Sequence, residues 1–156
     1  MSEDFLPATL SSRYLGEAVS SLLTCITPKE HIKTRPGPGG RILKYVSTGY
    51  VVNTLNALFG RLWDWEVIQT DVFKTEVNVL GKLTCHLTYD GEWLLINKMA
   101  WGSQPIRENV ELGDMKKAAS SDALKKAASL LGIAADLYGE REERDELEEV
   151  SKEGTR

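Results

Sequence analysis

The hydrophobic positions near the start of the chain recur every three or four residues over residues 12–27, which is the spacing of one face of an α-helix. Residues 50–59 repeat this spacing, and Gly60 is expected to end that second helix. Between them, residues 34–41 contain two prolines and three glycines, so we predict a loop that is neither helix nor strand. The short run 41–46 after the loop is predicted to be a strand.

The middle of the chain is rich in β-branched and aromatic residues, and hydrophobic and polar positions alternate along it. In its central run, Leu83, Cys85, Leu87 and Tyr89 should share one face, while the residues between them face the other way. Asp90-Gly91 predicts a hairpin turn, and Gly81 marks a break or bulge that leaves either one bent strand or two. The predicted strands occupy residues 63–73, 75–89 and 92–101.

Residues 102–113 are predicted to form a polar connection, and the helical spacing resumes at Asp114. Gly132 should end this helix. Its lysines form two pairs that lie two and a half turns apart, so they do not share one line along the helix. The residues predicted to form its buried face are Met115, Ala119, Leu124, Ala127, Ala128 and Leu131.

A chain of 156 residues is long enough for one domain with a hydrophobic core and too short for two ordinary domains. We assign the domain to residues 1–138 and an acidic, partly flexible tail to residues 139–156. No apolar run approaches the roughly 20 residues that a membrane span needs, and the acidic start is unlike a secretory signal. We therefore expect an intracellular protein in which Cys25 and Cys85 are reduced thiols.

The net charge of −4 conceals an uneven distribution along the chain. Residues 29–132 carry fourteen Lys and Arg against eleven Asp and Glu, whereas residues 133–156 carry four against nine. A mildly basic middle can form a local cationic groove, because phosphate binding depends on local clustering more than on total charge. Ordinary solvated surface charge is the alternative interpretation.

The common catalytic motifs do not fit this sequence. The glycines before Arg41 lack the spacing of a phosphate-binding P-loop, since a strand-like run follows them instead of Lys-Ser or Lys-Thr and a helix. His31 and His86 have no Cys or His at zinc-ligand spacing, and Cys85 and His86 should point to opposite faces of a strand. We therefore predict a protein that is not an enzyme and that has no catalytic residue, metal site or cofactor. The alternative is a metal-dependent nuclease, for which the sequence offers many Asp and Glu residues but no assignable pair of carboxylates.

The remaining features suit a nucleic-acid backbone, because Arg and Lys neutralise phosphates and exposed aromatic rings stack on bases. Tyr45 is a candidate for stacking because its neighbours are basic. The four tryptophans, Trp63, Trp65, Trp93 and Trp101, are interpreted as core or subunit-interface residues. The candidate cations near the glycine loop and on the last helix are Arg35, Arg41, Lys44, Lys116, Lys117, Lys125 and Lys126.

Three stretches resemble the Rad52 superfamily of single-strand annealing proteins, in particular its DNA-binding N-terminal domain. They are IKTRPGPGGRILKYVSTGYVVNTLNALFG, the WDWEV that leads into the strands, and KKAASSDALKKAASLLGIAADLY, and the similarity spans about residues 10–138. The resemblance implies an α+β fold in which an antiparallel β-sheet packs against helices, and it implies that subunits form a ring.

The resemblance also implies roles for individual residues. Arg35, Tyr45, Lys125 and Lys126 match family positions that line an inner DNA groove, and Lys74 matches a cation of a second, outer DNA site. A further groove arginine of the family corresponds to Ser129 here, so one expected cation is missing.

The implied function is ATP-independent binding of single-stranded DNA and annealing of a complementary strand in homologous recombination or DNA repair. The expected partners are single-stranded DNA, its complement, other copies of the chain in a ring, and a single-strand-binding protein or recombinase. A compact viral or bacterial member would act in the cytoplasm or nucleoid of a bacterial cell. The alternative is a module that binds RNA or protects single strands without annealing them.

Overall fold

The computed structural model describes residues 26–89 and 91–138. Most of the predicted first helix, Cys25, Asp90 and the tail 139–156 lie outside the described residues. Ile26 and Thr27, which the prediction placed at the end of the first helix, are not helical. Thr27 is buried, and its backbone N–H and hydroxyl donate to the Asp136 carboxylate at 3.0 and 2.6 Å. This contact joins the two ends of the described chain.

The glycine-rich segment forms the turn of a β-hairpin. Strands β1 (Lys33–Pro36) and β2 (Ile42–Tyr45) pair antiparallel, and a 3-10 turn at Pro38–Gly40 lies between them. The prediction of a loop over residues 34–41 was therefore wrong for residues 34–36, whose backbone pairs with β2 despite the neighbouring proline and glycine residues. The tight turn needs positive φ, which Gly39 and Gly40 adopt at 68° and 75°. The predicted strand at 41–46 is confirmed as β2.

The second predicted helix is confirmed as α1 (Thr48–Phe59), which begins two residues earlier than its hydrophobic pattern. Ser47 caps it, because the Ser47 hydroxyl accepts a 3.1 Å hydrogen bond from the backbone N–H of Tyr50. Val51 and Leu55 are buried one turn apart, and Gly60 ends the helix with a φ of 61°.

The three predicted strands form one antiparallel sheet in the order β3-β4-β5. Their bounds are Trp63–Val72, Glu76–Tyr89 and Glu92–Pro105. Strand β5 runs past the prediction, because residues 102–105 continue to pair with the start of β4 although they are Gly, Ser, Gln and Pro. The polar connection therefore begins only after Pro105, and this part of the prediction was wrong.

Strand β4 is one continuous strand, and the irregular pairing lies in its neighbour β3. The register shifts between Val67 and Gln69, opposite Gly81. A side chain at Gly81 would overlap the indole ring of Trp65, so glycine is required for this close approach. The predicted alternation along β4 is confirmed at Leu83, Cys85 and Leu87, which are buried.

Helix α2 (Leu112–Ser129) packs across β4 and β5. Ala119, Ala123 and Ala127 recur every four residues and are fully buried, so the helix approaches the sheet closely. At Gly102 of β5, an added Cβ would overlap the backbone of Ala119 and Ala123.

The predicted face of α2 was nearly complete. Ala123 was missed, and Leu131 lies beyond the end of the helix, where it packs partly buried against the core. Gly132 adopts a φ of 103° in the turn that follows. The predicted α+β class, with an antiparallel sheet against helices, is confirmed. Within the described residues, we find no helix with the length and apolar character needed to cross a membrane.

Candidate nucleic-acid interface

A groove of about 260 Å³ opens where the β1–β2 hairpin, the end of β5 and helix α2 meet. Four of its side chains lie at residues 118, 121, 122 and 125, which is the spacing of one face of a helix. Ser103 and Gln104 contribute the β5 side. The described residues that line the groove are Arg35, Tyr45, Ser103, Gln104, Ala118, Ser121, Asp122, Lys125 and Tyr138.

The hairpin register places Arg35 and Tyr45 on the same side. Lys33 is opposite Tyr45 and Arg35 is opposite Leu43, so these four residues share one face of the two strands. The guanidinium carbon of Arg35 lies over the Tyr45 ring, 5.6 Å from its centroid. Hairpin pairing therefore brings a cation and an aromatic ring together at the rim of the groove.

Helix α2 supplies a second cation to the same ring. The Lys125 Nζ atom lies 5.8 Å from the Tyr45 ring centroid. Three of the predicted site residues, Arg35, Tyr45 and Lys125, are thus close together although Tyr45 and Lys125 are 80 positions apart in the sequence. Such a cluster of cations around an open groove is suited to an anionic ligand such as a phosphate backbone.

Asp122 connects α2 to strand β5 inside the groove. Its Oδ2 atom accepts a hydrogen bond from the Ser103 backbone N–H at 3.1 Å and forms an ion pair with Lys126 Nζ at 3.1 Å. Lys126, which was predicted to contact DNA, is therefore held by this carboxylate and is not among the described residues that line the groove. These two contacts of Asp122, called the Asp122 clasp below, fix the position of α2 beside the end of β5.

The other predicted cations lie elsewhere on the surface. Lys44 is on the opposite side of β2 from Tyr45, because neighbouring residues of a strand alternate. Arg41 is exposed at the hairpin, where its backbone carbonyl accepts from the Gly37 N–H at 2.7 Å.

Three further predicted lysines are also exposed. Lys116 and Lys117 lie near the start of α2, and Lys117 pairs with Asp114 at 3.1 Å. Lys74 lies in the turn between β3 and β4. None of these three lysines is among the described residues that line the groove.

The comparison with protein families identifies the family of the chain and the process in which that family acts. Residues 16–156 match the family described as Rad52/22 family double-strand break repair protein. The chain belongs to the Rad52/22 family. The predicted superfamily membership is thereby confirmed, and the family is one of DNA repair and recombination. A direct comparison with curated proteins found no match.

For this Rad52/22 family member, sequence reasoning missed the polar side of the groove. Ser103 and Gln104 had been placed in a connecting segment, and β5 carries them instead. Ser121 and Asp122 could have been predicted from their helical spacing to Lys125. This would have required using the buried alanines to decide which face of the helix packs against the sheet. At the position of the missing family arginine, the Ser129 hydroxyl donates to the Lys126 carbonyl at 2.7 Å, within its own helix.

Cys85 and His86 of this family member lie apart from the groove. Cys85 is buried in the core, and desolvation by burial raises the pKa of its thiol to about 11, so it stays protonated at neutral pH. His86 points to the other face of β4, where its Nε2 lies 3.6 Å from Asp64. Over residues 26–89 and 91–138, no group of three or more His, Cys, Asp or Glu could hold a metal ion.

The tryptophans divide into two pairs. Trp63 and Trp65 pack partly buried against the core, and their ring N–H groups donate to Asn56 at 2.8 Å and Ser120 at 3.0 Å. Trp93 and Trp101 on β5 are 65% and 46% exposed, so the prediction that they lie in the core of this chain is wrong. An interface role for the second pair stays a prediction.

Proposed function

We propose that this chain binds the backbone of single-stranded DNA in the groove and, as a homo-oligomer, promotes annealing to a complementary strand without ATP. The observation that carries the proposal is the convergence of Arg35, Tyr45 and Lys125 on one groove in a Rad52/22 family chain. Cations that hold phosphates reduce the repulsion between two strands and leave the bases free to pair. Sequence specificity should be low, because backbone contacts do not read bases.

The polar lining supports binding of an extended backbone. Ser103, Gln104 and Ser121 add uncharged hydrogen-bonding groups beside the two cations. Hydroxyl and amide side chains commonly contact phosphate and sugar oxygens without reading the sequence. The remaining predicted cations, Lys74, Arg41, Lys44, Lys116, Lys117 and Lys126, are proposed to contribute to the surrounding field or to a second strand.

Assembly into an oligomer, proposed here as a ring, is supported by the exposed face of β5. Trp93, Leu95, Met99 and Trp101 alternate with residues that face α2, so they lie on the opposite side of the sheet. Their exposed fractions range from 46% to 65%. A long edge strand with exposed apolar side chains is normally covered by another element or chain, and a second copy would cover this one.

A strand-annealing assay without nucleotide tests the proposal. Two complementary oligonucleotides carrying a donor and an acceptor dye are mixed with the protein, and the oligomer mass is measured in the same buffer. We expect faster pairing by an oligomer, with a Lys125→Ala, Lys126→Ala double variant binding more weakly while remaining folded. The slope of log affinity against log salt should become shallower by about 0.7 for each phosphate that the variant no longer neutralises.

The controls separate annealing from the other ways of binding a single strand. Arg61→Ala removes an exposed arginine just after α1, outside the groove, and should leave pairing unchanged. Slower pairing in the presence of wild-type protein would show protection instead of annealing. Stronger competition by RNA than by DNA of the same sequence would point to an RNA-binding module, and an unaltered pairing rate would contradict the proposal.

A further inference from the structure

The Tyr45 ring contacts two cations that come from different parts of the fold. Arg35 reaches it from the paired strand β1, and Lys125 reaches it from helix α2. Both distances to the ring centroid fall within the about 6 Å at which the electron-rich face of an aromatic ring attracts a cation. Tyr45 is itself partly buried at the rim of the groove. The two cations therefore share this ring.

This arrangement competes with base stacking. A base that stacks on a ring face approached by the guanidinium of Arg35 or the ammonium of Lys125 would have to displace that cation. The carboxylate of Asp122 is already occupied by the Ser103 N–H and by Lys126. The aromatic ring thus supplies a weakly negative surface near both cations without placing another carboxylate beside a phosphate.

We propose that Tyr45 is a positioning residue, which holds Arg35 and Lys125 ready for the sugar–phosphate backbone and does not stack on a base. The proposal rests on the proposed function, since it concerns the same groove. Free Arg and Lys side chains lose much rotamer freedom when they bind a phosphate, and a ring that restricts them beforehand reduces that loss. The phenol hydroxyl has no part in this role.

The experiment uses two ligands that differ only in whether they carry bases. One is a thymidine oligonucleotide, and the other is an abasic oligomer of the same length with the same number of phosphates. Wild type, Tyr45→Leu and Tyr45→Phe are compared on both ligands by fluorescence anisotropy at several salt concentrations. Circular dichroism and oligomer mass establish that each variant is folded and assembled.

We expect Tyr45→Leu to weaken binding of both ligands by the same factor, about 5- to 30-fold, because two long side chains must then be ordered during binding instead of beforehand. Tyr45→Phe should bind like wild type, because the ring remains. A loss of affinity confined to the thymidine oligonucleotide would show base stacking and overturn the proposal. A loss in Tyr45→Phe as large as in Tyr45→Leu would assign the role to the hydroxyl and would also overturn it, as would unchanged binding by Tyr45→Leu.

A second variant keeps the test decisive if Tyr45→Leu does not fold. Tyr45→pentafluorophenylalanine keeps nearly the same shape but removes the electron-rich face, so it should lose affinity for both ligands while Tyr45→Phe does not. Equal binding by these two variants would exclude cation positioning. Failure of the proposed DNA binding in this groove has a different signature, because wild-type protein would then bind neither ligand.

Discussion

The two cations of the groove differ in how their side chains can meet a phosphate. Arg35 has a planar fork that can donate two parallel hydrogen bonds, while Lys125 is a compact charge on a flexible stem. Arg35 is exposed on the hairpin, whereas Lys125 is partly buried against the groove wall. We therefore expect Arg35 to contribute orientation as well as charge, and Lys125 to contribute mainly charge.

Replacement of Arg35 tests this difference. Arg35→Ala should weaken single-stranded DNA binding about 3- to 10-fold, a modest effect because the side chain is exposed to solvent, and annealing should fall with it. Arg35→Lys should recover only part of the affinity, because lysine keeps the charge without the guanidinium fork. Binding by titration and pairing by dye transfer measure both effects, with Arg61→Ala as the matched arginine control.

Oligomer mass decides what an Arg35 effect means. An unchanged mass with weaker binding assigns Arg35 to the DNA contact. Full activity in Arg35→Ala would reject that contact, and a changed mass would instead place Arg35 in subunit packing.

At the scale of elements, helix α2 and strand β5 together define the groove. The helix is held close to the sheet by its buried alanines and by Gly102, and the Asp122 clasp to the Ser103 N–H lies one residue further along the strand. Small changes in this packing should therefore move Lys125 relative to Tyr45. The close packing at Gly102 links the stability of the fold to the geometry of the site.

A methyl group at Gly102 tests that link. In Gly102→Ala, the new Cβ would overlap the backbone of Ala119 and Ala123, so α2 must shift or the strand must bend. We expect a decrease of about 1–3 kcal/mol in the free energy of unfolding, the usual cost of overpacking a core. Gly113→Ala is the control, because nothing lies within 4 Å of that position in α2, and alanine there should stabilise the helix by about 0.4–1 kcal/mol.

Denaturant unfolding at fixed protein concentration measures both glycine variants. Equal stability of Gly102→Ala and the wild type would contradict the close packing at this crossing point.

Most elements followed from the spacing of hydrophobic residues, because burial selects one face of each helix or strand. The pattern could not reveal that residues 102–105 extend β5, since backbone pairing does not require apolar side chains there. Nor could it reveal β1, whose four residues are all exposed. Resemblance supplied Arg35, Tyr45 and Lys125 together, but the Asp122 clasp depends on how α2 crosses β5 and has no signal in local sequence.

At the scale of the whole molecule, the cationic groove belongs to a chain with a net charge of −4. Much of the negative charge lies at residues 133–156, and this segment begins inside the folded domain. Ile133, Ala134, Leu137 and Tyr138 are buried, and Asp136 holds Thr27. The family match extends to residue 156, so it includes the predicted tail. The boundary between domain and tail at residue 138 stays a prediction.

Two truncations on either side of that boundary test it. Deletion of residues 140–156 should leave a folded oligomer, because the removed segment is too polar to bury a substantial face. Deletion of residues 133–156 should abolish cooperative unfolding, because it also removes four buried side chains and the Asp136 partner of Thr27. Thermal unfolding by circular dichroism and mass measurement at one protein concentration compare both with the full chain. Loss of cooperative unfolding in the shorter deletion would show that the acidic segment packs as part of the domain, whereas normal unfolding of the longer one would contradict the core described for residues 133–138.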